Sequence, residues 1–424
     1  MSRPDADTDG SPQARLRREH ARAVLRAITA EGTVSRTQLA HDLDLSGQSV
    51  GRIARDLLDD GLIEETDMER GAGPGAPRIG LTVRADGAFA LGFGLERDRL
   101  TGVALDLAGH VRWEMAPTTT SGEPAADTLR RIERQVRALM EGSEWAERRD
   151  RICGLGIAAP GPIDLVTGTI VDAPNFPTWQ HVDVAAELGR SLGLPVLVDN
   201  AATAAAIGTK REARRGPAPF VYCYWGLGIG GGLVVDDEAY RGTTGNAIEI
   251  GHVAVMEGGH RCECGATGCL EAEASVAALL RDAAAYGSFA TVEEVVAAAE
   301  HSAPLRAVLT TAAERMATGL LSVVNLLDVD EVIIGGEHFR AVEQIFLPVI
   351  RDRLASSAFR RRIAPTTVTL SPLGEAANAV GAAALVLHSV LPAAPGRRAT
   401  ERPPDLAVAR AARRRPAAPP RRAS

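Results

Sequence analysis

The stretch Glu249-Ile250-Gly251-His252, followed by Cys262-Glu263-Cys264-Gly265-Ala266-Thr267-Gly268-Cys269-Leu270-Glu271, decides how the rest of the chain is read. It holds one histidine and three of the five cysteines, with nine residues between His252 and Cys262, one between Cys262 and Cys264, and four between Cys264 and Cys269. Three thiolates and one imidazole (His252, Cys262, Cys264 and Cys269) make a closed tetrahedral set for Zn2+, the usual form of a structural site. Gly258, Gly259, Gly265 and Gly268 let a short loop turn the sulfurs inward. The competing reading is buried or disulfide-linked cysteines. Cys262 and Cys264 are too close for an easy disulfide, and without an export signal the chain is expected in a reducing compartment. His260 lies inside the loop and is expected to be a bystander, because four ligands are already present. Cys153 and Cys223 fall in apolar strand-like segments and read as core.

The chain's 424 residues suffice for two or three domains with sizeable cores. Aromatic residues make up only 4%, so those cores must be built from Ala, Val, Leu and Ile. No apolar run approaches the length of a membrane span and the start is polar, which points to a cytoplasmic protein with no membrane partner. A formal charge of -7 argues weakly against nucleic acid, but the average conceals asymmetry. The segment 392–424 carries nine Arg against Glu401 and Asp405, a local +7 that leaves the remainder near -14. That Pro/Arg/Ala tail, like residues 1–14, cannot bury a core and reads as disordered.

Helical spacing is expected from Arg15 to Thr29, with Leu16, Ala23, Val24, Ala27 and Ile28 on one side and five arginines on the other. Ser35 caps a second helix and Ser46 leads into a third, Gly47 to Asp59. The third helix turns Val50, Ile53, Leu57 and Leu58 inward and offers Gln48, Ser49, Arg52 and Arg55 outward. A strand from Ile63, a flexible tip at Gly71–Gly75 and a return through Arg78 complete a winged helix-turn-helix over 15–84. Such a module presents a helix N-terminus and polar side chains to the major groove of operator DNA, with the wing on the backbone. The expected DNA contacts are Ser46, Gln48, Ser49, Arg52, Arg55 and Arg78. A small helical protein-interaction domain is the alternative, since the module's eleven arginines are matched by eleven acidic residues and it carries no net positive charge.

From Ala88 the period changes to that of strands: Phe89–Leu95, Leu100–Leu107, His110–Trp113, then a helix Thr128–Glu141. Gly154–Ala158 and Leu194–Val198 are buried strands, the latter delivering Asp199-Asn200 at its C-terminal end, where ligands bind in open α/β folds. Phe220–Trp225, the glycine run Gly226–Gly232 and Asp330–Gly336 open a second lobe, and Gly374–Val390 is a last Ala-rich helix expected to return to the first.

The pattern Glu-x-Gly-His-x9-Cys-x-Cys-Gly-x2-Gly-Cys-x-Glu resembles the signature of the ROK family, named for repressors, open reading frames and sugar kinases. The resemblance runs from about residue 15 to about 391. It implies an α/β, two-lobed, actin-like (sugar kinase/ribonuclease H-like) domain over 85–391, with lobe one at 85–200 plus 374–391 and lobe two at 201–373. It also implies that Asn175, Asn200, Glu249, His252 and Glu271 hydrogen-bond sugar hydroxyls, with His252 sharing itself between sugar and zinc. Ile248 stands where the family usually has glycine and is expected to narrow the pocket or alter the loop. Glu249 and Glu271 could instead be ordinary loop-end carboxylates.

Phosphotransfer needs two Gly-rich turns against ATP and an Asp to take the sugar proton. By resemblance the first turn should read Asp-x-Gly-Gly-Thr, but here it reads Gly94-Leu95-Glu96-Arg97-Asp98, with carboxylates where phosphates should sit. The second turn, Gly226–Gly232, keeps its glycines, which could serve tight packing instead. The base position, within Asp199-Asn200-Ala201-Ala202-Thr203, is Ala201, which cannot accept a proton. The expectation is therefore no catalytic residues: a ROK-type transcriptional regulator, a repressor of carbohydrate-related genes that senses a sugar or sugar derivative as a homodimer or homotetramer. An active ATP-dependent sugar kinase with a retained DNA-binding domain is the alternative, and a regulator answering to a protein partner is a third reading.

Overall fold

The computed structural model describes residues 12–67, 79–96, 98–120, 122–173, 176, 178–212 and 218–390. The tail 392–424, the tip Gly71–Gly75, Arg78 and Asn175 lie outside the described residues, as do positions 1–11 of the expected disordered start.

The first helix starts earlier than its spacing suggests, running Pro12–Glu31, and its apolar side buries Val24, Leu25 and Ile28. Ser35 Oγ accepts the Gln38 N–H at 3.2 Å, starting the helix Arg36–Asp42. Ser46 Oγ accepts the Ser49 N–H at 3.1 Å and starts Gly47–Asp59. That helix buries Val50, Ile53, Ala54 and Leu57 and exposes Arg52 and Arg55, whereas Leu58 is only half-buried because Ala54 takes the fourth inward position. Thr33–Ser35 forms a short strand that the sequence did not suggest, antiparallel to Ile79–Val83, which pairs in turn with Ile63–Asp67.

Each lobe repeats one topology. In the first, Phe89–Leu95 pairs antiparallel with Arg99–Asp106, which pairs with Val111–Thr119. On its other side Phe89–Leu95 runs parallel to Ile152–Ala159, and that strand parallel to Val196–Asn200. In the second lobe Phe220–Trp225 pairs antiparallel with Ile229–Val235 and parallel with Glu331–Gly335, which runs parallel to Thr367–Leu370. Every residue of Phe89–Leu95 and Ile152–Ala159 is buried, because helices cover both faces of the sheet. Ala377–Val390 returns to lobe one as expected, packing Ala379, Val380 and Ala383 beside Ala90 and Val103. Lobe two is covered by Ala303–Leu327 and by Phe339–Ser357, a helix the sequence reading passed over.

Ala303–Leu327 is long and apolar enough, by length and composition, to cross a membrane, contrary to the expectation that no run came close. Here it is a core helix that buries Leu305, Leu309, Met316, Leu320 and Val324.

The winged module is not an appended bead. Its Val24, Ile28, Val50, Ile53 and Leu57 belong to one continuous apolar cluster with Ala90, Val103 and Leu105 of lobe one and Val386 and Leu387 of the last helix. Arg22 also donates to the Ser389 carbonyl at 2.7 Å, and Arg26 pairs with Glu238 of lobe two.

Candidate functional site

The chain from Ile248 to Glu271 wraps back on itself. Cys262 Sγ lies 3.5 Å from His252 Nδ1, and Cys264 Sγ lies 3.7 Å from Cys269 Sγ. All four candidate ligand atoms fall within 4.8 Å of one another. A tetrahedral zinc with Zn–S of about 2.3 Å and Zn–N of about 2.0–2.1 Å has S···S edges near 3.8 Å and S···N edges near 3.6 Å. The donor set therefore fits this ion in both chemistry and spacing, and the cysteines are free rather than disulfide-bonded. Gly268 makes the return possible: its φ is +71°, and a Cβ there would sit 1.7 Å from the Met256 carbonyl oxygen. Burial pushes the Cys269 thiol up to about 12, with the neighbouring thiols adding to it. A bound cation would reverse that balance and hold the thiolate. His260 is a bystander, as expected: its N–H donates to Glu273 Oε1 at 2.6 Å, outside the four-residue cluster.

His252 turns Nδ1 toward the sulfurs, which leaves Nε2 for another partner, and Glu249 lies near enough to feel its charge. Glu249 keeps solvent-facing surface but lies in a crowded cleft. Desolvation holds its carboxyl above the usual range, His252 opposes that, and Glu271 adds to it. Glu271 is no idle loop-end group. Its Oε2 accepts the Ile229 N–H at 2.8 Å and so ties the zinc loop to the glycine-rich segment. In that segment the turn is shorter than the sequence suggests: Gly226–Gly228 turns the chain, Gly226 N–H donating to the Gly228 carbonyl at 2.9 Å, and Ile229–Val235 is strand. Cβ atoms at Gly231 and Gly232 would lie 2.5 and 2.6 Å from the Ile248 and Ala202 carbonyl oxygens, so these glycines serve close packing.

Asn200 ends its strand beside this cleft, and its Oδ1 caps the helix Ala201–Glu212 by accepting the Ala202 N–H at 2.9 Å. Its Nδ2 remains directed toward Gly161. Asp199 is 1% exposed and spent: one oxygen accepts the Asn200 N–H at 2.8 Å, the other takes Arg241 of lobe two at 2.6 Å. Beside it, Ala201 has no side chain that could take a proton.

Sequence reasoning missed two bridges across the cleft, Arg241–Asp199 and Asn246. Asn246 Oδ1 accepts the Ile163 N–H at 2.8 Å while its Nδ2 donates to the Ile163 carbonyl at 3.0 Å. Asn246 stands three residues before Glu249, but nothing in the sequence names its partner on the other lobe. In the winged module Gln48, Arg52 and Arg55 are exposed together, Ser49 is half-buried, and Ser46 is committed to its capping bond. Thus Ser46 positions the helix end that the others share.

The ROK family model matches residues 102–389 and a winged helix-turn-helix DNA-binding model matches residues 17–64. The xylose repressor of Caldicellulosiruptor bescii is 28% identical over 384 residues, covering 87% of this chain and 95% of that protein. A glucokinase of Thermotoga maritima is 30% identical over 281 residues, covering 62% of this chain and 86% of that protein. In structure, a ROK family transcriptional regulator homologous to the Escherichia coli Mlc protein superposes with a TM-score of 0.74, at 24% identity, over 88% of this chain and 97% of that one. The chain belongs to the ROK family, as a transcriptional regulator with an N-terminal winged helix-turn-helix rather than as a sugar kinase.

Proposed function

We propose that this regulator binds operator DNA through its winged module, nominally residues 15–84, and releases or tightens that grip when a sugar or sugar derivative enters the cleft between its lobes. The observation that carries the reading is the unequal fate of the cleft. Its Asn200–Glu249–His252–Glu271 side is kept and braced, while the base position is Ala201 and the phosphate turn is filled by Glu96. His252, Cys262, Cys264 and Cys269 would hold Zn2+, which fixes the loop carrying Glu249 and Glu271. Asn175 completes the proposed sugar contacts by resemblance alone. DNA would be met by Gln48, Ser49, Arg52 and Arg55, with Arg78 on the wing.

Because the winged module shares its core with lobe one and pairs with lobe two through Arg26–Glu238, a change in lobe spacing would move the DNA-binding helices. A homodimer or homotetramer would convert that movement into a change of half-site spacing. Such a protein works in the cytoplasm, where its DNA is. Since three relatives carry the name xylose repressor, xylose heads the sugars to test. Fluorescence anisotropy of the protein on its own promoter, with and without xylose, glucose and their relatives, should show one sugar shifting affinity. No shift with any sugar, together with ATP-dependent sugar phosphorylation, would favour the kinase.

A further inference from the structure

The turn of the first hairpin in lobe one meets the end of the strand Glu331–Gly335 in lobe two. Ligand atoms of Asp98, Glu337 and His338 lie within 4.8 Å of one another there. The Glu337 side chain is 3% exposed, with Oε1 2.9 Å from His338 Nε2 and Oε2 3.0 Å from Arg99 Nε. Arg99 reaches onward to Glu375 at 2.5 Å, and Glu293 stands 3.8 Å from His338 Nδ1. Beneath them Glu96 is only 7% exposed. Its Oε1 accepts from Asn378 Nδ2 at 2.7 Å, and its Oε2 has no hydrogen-bond partner among the described residues. The Glu96 carboxyl nonetheless lies against Glu337 and the Tyr224 phenol. Asp98 Oδ1 is likewise buried and unpartnered among the described residues. Acidic groups outnumber Arg99 and His338, and two buried carboxyls in contact must share either a proton or a cation.

We propose that Asp98, Glu337 and His338, backed by the buried carboxyl of Glu96, form a divalent-cation site that bridges the lobes. Carboxylates with one imidazole suit Mn2+ or Zn2+ better than Ca2+, whose sites use oxygen alone. Glu96 and Asp98 come from lobe one and Glu337 and His338 from lobe two, so an ion here ties the lobes at a point apart from the zinc loop. Arg99 can yield its place because Glu375 already holds it.

The test titrates full-length, zinc-loaded protein with Mn2+, following free Mn2+ by electron paramagnetic resonance and zinc content separately. Wild type is expected to take up Mn2+ at one site, and Asp98→Asn and Glu337→Gln each to weaken it by about tenfold or more with zinc content unchanged. Three results would each overturn the site: no Mn2+ uptake by wild type, wild-type affinity retained in both variants, or uptake only when ATP is added. The last would mean that the metal arrives as a nucleotide complex.

Discussion

Ile248 holds φ at +64°, in the left-handed region, immediately before Glu249. An L side chain pays about 1–2 kcal/mol for that conformation. The loop has little room to relax, because the Ile248 carbonyl oxygen would lie 2.5 Å from a Cβ placed at Gly231. Glycine takes the same backbone freely but loses about 0.5–1 kcal/mol to the freedom of its unfolded chain. Ile248→Gly should therefore be more stable than Ile248→Ala by about 0.5–1 kcal/mol, the reverse of the usual order. Both variants give up the contacts of the half-buried isoleucine with the lobe-two core, so that loss nearly cancels in the comparison. Urea unfolding of the two variants at matched zinc content measures the difference. An alanine variant as stable as the glycine variant would refute the claim that backbone strain is stored at this position.

Purified protein should carry about one zinc per chain, and Cys264→Ser should lower it; full retention by elemental analysis would strike Cys264 from the ligand set. Arg52→Ala should cost about 1–3 kcal/mol of operator affinity if Arg52 reads a base edge, measured by anisotropy at moderate salt. Ala201→Asp should not create a sugar kinase in a coupled ATP assay, because Gly94 still lacks the carboxylate that would help place a metal and Asp98 still opposes the charge of a transferring phosphoryl group. Glu96 itself gives a pH signature. Its carboxyl is held above the usual range by burial first and by Glu337 next. The folded state thus keeps a proton that the unfolded state gives up, and stability falls as pH rises above the ordinary carboxylate range. Glu96→Gln should flatten that fall and gain stability at neutral pH without added divalent metal. An unchanged pH profile in thermal unfolding would place an ionised carboxylate at Glu96.

The clustering of His252, Cys262, Cys264 and Cys269 was legible in the chain because these residues lie within one loop, where spacing alone restricts which atoms can meet. The third helix was legible for the same reason: Ser46, the periodic Val50, Ile53 and Leu57, and the break at Gly61 are all local signals. Ala201 could be read as the loss of a base because a single missing carboxylate needs no geometry to be noticed. Three things required the folded chain. That Gly231 and Gly232 lie in a strand against the Ile248 and Ala202 carbonyls, with only Gly226–Gly228 left as the turn, depends on segments the local spacing does not name. Asn246 and Arg241 became bridges only when the lobes faced each other. The fate of Glu96 was decided by Glu337, Tyr224 and Asn378, which stand more than a hundred residues away in sequence. Local periodicity and capping act over a few residues and leave their mark in the sequence, whereas desolvation and charge pairing depend on which distant groups the fold brings within a few ångströms.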